Sequence, residues 1–180
     1  LQCLPLVKEI HKMCMKRGAK HIETRFEPPE IARSFYENAS DEQIAYFPKH
    51  EMDFMKKVDV YFRINGSDNT RTLATLDAAK MTARSKVMRP IQDWRVKKTR
   101  WVVTLFPTRA LAQDAGMSLD EFEEFVFKAT IRNWEKTSAN IDKLAKMLTD
   151  TKKVRVVASD TDLTFSKEGL KAIGCDGRLN

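Results

Sequence analysis

Histidine and cysteine are the side chains of this sequence that would announce a metal site most clearly. The three histidines, His11, His21 and His50, stand far apart along the chain. There is no H-E-x-x-H pattern and no close pair of cysteines, the spacings that arrange ligands around zinc. His11 and Cys14 lie three positions apart and would share a helical face, but Cys14 equally suits a small core position with His11 at its edge. The sequence therefore predicts no metal ligand within these residues.

Catalytic carboxylates and nucleophiles are equally hard to assign. Asp160 and Asp162 flank Thr161, but this spacing also suits an Asx turn. The acidic run over 120–124 fits the favourable charge of a first helical turn. No G-x-S-x-G nucleophile motif and no glycine-rich phosphate loop is present. The loop over 65–70 follows a predicted strand and is the best candidate for a binding loop, although its composition also fits a plain connector. We assign no catalytic residue.

The elements that would position any site alternate along the chain between helix and strand. Strands are predicted over 21–26, 58–64 and 101–106, and the last of these is apolar enough to be buried on both faces. This alternation predicts an α/β fold with a mostly parallel sheet and helices on both faces, which makes three layers. Two short strands over 154–158 and 163–165 predict an antiparallel pair near the C-terminus.

Helix boundaries are marked by several local signals. Ser40 with Gln43, and Ser118 with Glu121, have the spacing of capping boxes. A long helix is predicted over 77–98, with an interruption at Pro90 because proline lacks the amide hydrogen that the helix needs.

Composition narrows the class of protein. The chain has 180 residues, enough for one domain with a sizeable core, and a formal net charge of +7. Its densest basic cluster covers 95–100 between two tryptophans, which raises nucleic-acid binding as an alternative. Interspersed charges and the predicted helix end favour a solvated surface instead. No segment is apolar and long enough for a signal peptide or a membrane span, and three scattered cysteines are typical of a reducing cytoplasm.

Six segments carry a resemblance to a known family in an ordered set that covers nearly the whole chain. They are Leu4–Val7, Ala39–Gln43, Gly66–Arg71, Trp101–Phe125, Asp160–Phe165 and Cys175–Asn180. In this order they resemble the thermophilic metalloaminopeptidases of the aminopeptidase T type. The stretch over 101–125, WVVTLFPTRALAQDAGMSLDEFEEF, is the most specific of them.

The resemblance implies an enzyme that removes N-terminal amino acids from peptides with two divalent metal ions of the cobalt or zinc type. It implies that residues 1–152 form an N-terminal α/β domain and that 153–180 begin the connection to a C-terminal catalytic domain that holds all the metal ligands. The expected partners are that catalytic domain, peptide substrates and a second subunit of a homodimer. We therefore expect these residues to be inactive alone, to lie in the cytoplasm, and to contact neither a membrane nor nucleic acid.

Cavity-facing residues are expected where predicted strands end, since ligands of α/β proteins gather there. Asn69, Thr108 and Arg109 follow such ends and are our substrate-cavity candidates. The other hypothesis, a stand-alone basic module that binds nucleic acid, predicts a contiguous Lys/Arg face and a steep salt dependence.

Overall fold

The computed structural model describes residues 2–175, which belong to two compact units, Leu1–Thr130 and Ile131–Asn180. Most of the segment over 175–180, used for the family resemblance, lies outside the described residues. The predicted boundary, which ends the N-terminal α/β domain at residue 152, stays a prediction. No described helix has both the length and the apolar character required to span a membrane.

Each unit contains a pair of strands; the first unit has seven described helices and the second has one. The first unit contains α1 (Leu4–Lys16), α2 (Pro29–Asn38), α3 (Asp41–Ala45), α4 (Lys49–Met55), β1 (Val60–Asn65), α5 (Ala78–Lys98), β2 (Arg100–Leu105), α6 (Arg109–Asp114) and α7 (Leu119–Thr130). The second unit contains α8 (Trp134–Thr149), β3 (Lys153–Ala158) and β4 (Thr161–Ser166).

The first unit is built around a parallel strand pair. β1 and β2 run side by side from Val60 opposite Arg100 to Asn65 opposite Leu105, and α5 makes the crossover between them. The prediction of a parallel α/β pairing is thus confirmed. Within the described residues this sheet has two strands, so the predicted larger sheet in three layers is not observed there.

The predicted strand over 21–26 is wrong, because this segment forms neither helix nor strand. Its alternating pattern produces an amphipathic chain that binds through side chains instead. Arg25 Nη1 donates to Glu51 Oε2 of α4 at 2.8 Å, and its guanidinium lies 4.0 Å from the centre of the Phe54 ring. Both contacts are made by Arg25, on the polar side of the alternation, whereas Phe26 on the apolar side is 46% exposed. Alternation in sequence therefore does not by itself produce a paired strand.

The expectation that β2 is buried on both faces is also wrong. Val102 and Val103 point to opposite faces of the strand, and both are exposed. Its end is better covered, because Leu105 packs against the small core of α6 and α7. That core contains Ala112, Phe122 and Val126. An apolar run shows that a strand is suited to burial. Whether it is buried depends on which other elements pack against it.

Helix α5 continues through Pro90, so the predicted interruption is wrong. Side chains before the proline hold the helix in place against the preceding chain. Lys80 donates to the carbonyl of Ala39 at 3.2 Å, and Arg84 donates to the carbonyl of Ile44 at 3.3 Å. These tertiary bonds offset the one backbone hydrogen bond that a proline removes.

Both predicted capping boxes are confirmed. The Ser40 amide donates to Gln43 Oε1 at 2.8 Å, and the Gln43 amide donates to Ser40 Oγ at 3.3 Å. At α7 the Ser118 amide donates to Glu121 Oε2 at 2.8 Å, and the Glu121 amide returns the bond at 3.3 Å. The bonds from the backbone and hydroxyl of Ser118 lower the pKa of the Glu121 carboxyl, which therefore stays charged at the helix start.

The second unit contains the antiparallel pair, which is confirmed in place and direction. β3 and β4 pair from Lys153 opposite Ser166 to Ala158 opposite Thr161. After β4, the Lys167 ammonium donates to the carbonyl of Thr151 at 3.1 Å. This bond closes the base of the hairpin onto the segment that follows α8.

Candidate functional site

The carboxyl edge of the parallel pair brings two loops together. The Phe106 amide donates to the carbonyl of Asn65 at 2.7 Å, which continues the strand pairing one residue beyond β2. The loops over 66–69 and 106–109 therefore leave the sheet side by side, as parallel strands require. All three substrate-cavity candidates belong to these two loops or to the helix start that follows.

Thr108 joins the two loops to each other. Only 1% of its surface is exposed, and its hydroxyl donates to the carbonyl of Ser67 at 2.5 Å. The same oxygen accepts from the Leu111 amide at 3.3 Å and so caps α6. Both hydrogen-bonding capacities are used inside the protein, so Thr108 fixes the geometry of this edge.

Asn69 and Arg109 are the exposed members of the candidate set. Asn69 Oδ1 accepts from the Arg71 amide at 2.9 Å, and the Asn69 amide donates to Ser67 Oγ at 3.3 Å. The loop after β1 is thereby held in one shape by its own polar groups. Arg109 is the first residue of α6 and presents a cation at the same edge of the sheet.

Gly66, within the candidate loop over 65–70, lies against Cys3 at this edge, and sequence reasoning did not predict this contact. A Cβ atom on Gly66 would lie 3.3 Å from Cys3 Sγ and 3.4 Å from Phe106 Cβ. The start of α1 therefore packs directly on the backbone where β1 ends. The available signal was a glycine immediately after a strand, which often marks a close approach of this kind.

An open groove of about 430 Å³ lies along α1, away from the candidate residues. Leu4, Val7 and Phe26 supply its apolar lining. Lys12 at its rim pairs with Glu9 at 3.2 Å. The residues that line the groove include none of Asn69, Thr108 and Arg109, so this groove and the strand-end loops are separate features.

The described residues do not supply a metal site. No group of three or more His, Cys, Asp or Glu side chains comes close enough to hold an ion anywhere within 2–175. The carboxylate of Asp162 is engaged elsewhere, since Arg155 donates to its two oxygens at 2.7 and 2.6 Å. These bonds from Arg155 lower the pKa of the Asp162 carboxyl. The donor set thus does not fit a metal centre, least of all a two-metal centre.

The family can be identified from the whole sequence rather than from this edge. A family model described as thermophilic metalloprotease (M29) matches residues 1–179. This chain belongs to the M29 family. The resemblance drawn from the six ordered segments is confirmed by that match. M29 proteins are metallopeptidases that use divalent metal ions.

A solved structure supports the fold of this M29 chain. Wild-type AmpT from Thermus thermophilus is 17% identical and superposes with a TM-score of 0.69. The match covers 92% of this chain and 46% of AmpT, so this chain spans less than half the length of that protein. At this identity the likeness supports the fold alone. No curated protein matches this M29 chain.

Proposed function

We propose that this chain is the non-catalytic N-terminal portion of a metal-dependent aminopeptidase that removes N-terminal amino acids from peptides. The observation that carries the proposal is a contrast. The metalloprotease family model matches 1–179, yet the described residues bring no metal-ligand group together. The span of 46% of AmpT leaves room for a second half that would hold two ions of the cobalt or zinc type. When bound, such ions would polarise the scissile carbonyl and activate water.

The role proposed for this portion is to shape and support the substrate cavity. Asn69 and Arg109 are exposed at the carboxyl edge of the parallel pair, where ligands of α/β folds bind. Arg109 offers a cation that can bind a carboxylate or carbonyl of a peptide, while buried Thr108 keeps the two loops in register. We further propose a homodimeric, cytoplasmic enzyme in which a fuller three-layer sheet forms and 153–180 lead into the catalytic domain.

Comparing the peptidase activity of the 180-residue chain with that of an extended chain tests this proposal. The 180-residue chain is expected to show no turnover of an aminoacyl chromogenic substrate with cobalt or zinc added, because it lacks ligands to hold either ion. Extending the same chain by the residues encoded after Asn180 is expected to restore turnover. Equilibrium dialysis with each metal checks binding independently of activity. Clear turnover by the 180-residue chain would refute the proposal.

Nucleic-acid binding by a stand-alone module is the alternative function. One member of its basic cluster is already engaged, since the Arg95 guanidinium lies 5.0 Å from the Tyr61 ring centre and 5.3 Å from that of Trp101. This reduces the cationic face that a phosphate backbone would require and favours the peptidase proposal. Binding to a DNA duplex that weakens steeply between low and moderate salt would instead favour the alternative.

A further inference from the structure

The β3–β4 hairpin has one apolar face and one polar face. Its register places Val154 opposite Phe165 and Val156 opposite Leu163, and these four side chains form what we call the hairpin face. The other side carries the Arg155–Asp162 ion pair, which is exposed. The strands therefore have the alternation of a sheet that is covered on one side and solvated on the other.

The hairpin face is largely uncovered in this chain. Val156, Leu163 and Phe165 are 46%, 54% and 44% exposed. Monomeric proteins seldom expose a contiguous patch of large apolar side chains, and such a patch is typical of an interaction site. A two-stranded hairpin alone is at best marginally stable in water, so its strands need packing from another element.

Helix α8, in the same unit, is engaged with a different segment. A Cβ atom on Gly174 would lie 2.9 Å from Ile141 Cγ2 and 3.8 Å from Ala145 Cβ. The Ala172 amide also donates to Thr149 Oγ1 at 3.3 Å. The segment after the hairpin thus lies along the half-buried side of α8, and this contact leaves the hairpin face open.

We propose that the hairpin face is the docking surface for the catalytic half of the same polypeptide, encoded after residue 180. The inference rests on the proposed function. Two observations select this occupant. The AmpT match leaves more than half of a related protein without a counterpart here. The hairpin is also the last regular element in the described residues. Chain encoded after Asn180 would be close enough along the sequence to reach it.

The chemistry of the face agrees with a permanent contact. It consists of aliphatic and aromatic side chains without a charge, as in interfaces that never separate, whereas transient partners meet more polar surfaces. Covering Val156, Leu163 and Phe165 removes apolar surface from water, and that burial stabilises both halves.

A matched pair of substitutions in the extended protein tests the docking. Val156→Asn places an amide on the hairpin face, and Val157→Asn places the same amide next door on the opposite face, where Val157 is 65% exposed. Both change strand propensity equally. We expect V156N to lower the Tm of the extended protein by about 5 °C more than V157N does. In the 180-residue chain the two variants are expected to unfold alike, because both positions are exposed there.

Hydrogen exchange provides the second measurement, which does not depend on a substitution. Amides of β3 and β4 are expected to exchange at least tenfold more slowly in the extended protein than in the 180-residue chain.

Equal exchange, together with equal Tm shifts for V156N and V157N, overturns the docking even if the extended protein hydrolyses peptides with metal. A reading frame without a metal-ligand set after Asn180 overturns the proposed function and the docking together. A 180-residue chain that dimerises, and becomes monomeric with V156N, assigns the face to a second copy instead.

Discussion

The parallel pair and the hairpin are both two-stranded, but different parts of the chain hold them in place. β1 and β2 are separated by α5, and their ends are tied by groups distant in sequence, Thr108 to Ser67 and Cys3 to Gly66. β3 and β4 are joined by a tight turn and carry a local ion pair. The first arrangement depends on packing across the unit, whereas the second forms from neighbours along the chain.

This difference separates two kinds of exposed apolar surface. Along β2 the exposed valines lie on strands whose ends are already fixed by buried groups, so the edge keeps its shape. On the hairpin face the exposed side chains belong to strands with few supports of their own. The docking that we propose would cover only the second of these surfaces with additional chain. The comparison therefore predicts large effects at the buried ties and small effects at the local pair.

The largest effect is expected from Thr108→Val. This substitution leaves the Ser67 carbonyl without its donor and removes the cap of α6, which together cost about 2–3 kcal/mol. Thr108→Ser keeps the hydroxyl and is the conservative control. Thr164→Val, an identical change at an exposed position of the hairpin, is expected to alter the free energy of unfolding by less than about 0.5 kcal/mol. Urea denaturation measures all three, and similar losses for T108V and T164V would contradict the comparison.

An intermediate effect is expected from Gly66→Ala. The added methyl would meet Cys3 Sγ at 3.3 Å and Phe106 Cβ at 3.4 Å. We expect a net loss of about 1 kcal/mol, because crowding outweighs the lower entropy of the unfolded chain. Cys3→Ala removes the closest contact, so the double variant should lose less than the sum of the single variants. If the losses in free energy of unfolding from Gly66→Ala and Cys3→Ala are additive in a double-mutant cycle, Cys3 does not contact residue 66 closely enough to crowd the added methyl.

Local sequence chemistry predicted the local parts of this fold well. Both capping boxes form as expected because each depends on two residues three positions apart. The antiparallel pair was predictable for the same reason, since its partners are neighbours in the sequence. The resemblance to the metalloaminopeptidases also came from ordered segments, and needed no geometry.

Sequence reasoning missed the contacts between residues that are distant in the sequence. The segment over 21–26 alternates like a strand, but Arg25 binds Glu51 and the Phe54 ring instead. Pro90 fits inside α5 because contacts distant in sequence hold that helix. Gly66 meets Cys3 across more than sixty positions, which no local pattern encodes. The candidates Asn69, Thr108 and Arg109 lie where β1 and β2 end, and their role toward substrate stays a prediction.

The smallest effect is expected from the Arg155–Asp162 pair. Its hydrogen bonds hold the pKa of Asp162 below the ordinary value, so its contribution is present above about pH 4 and is lost as pH falls through the lowered pKa. Both side chains are exposed, so the gain in stability is slight. Arg155→Gln should return the pKa of Asp162 toward its ordinary value in a carbon NMR titration, with little change in Tm at neutral pH. An unchanged Asp162 titration in R155Q would show that Arg155 does not lower this pKa. A large fall in Tm would show that the hairpin depends on this pair, and that the contrast with the buried ties is wrong.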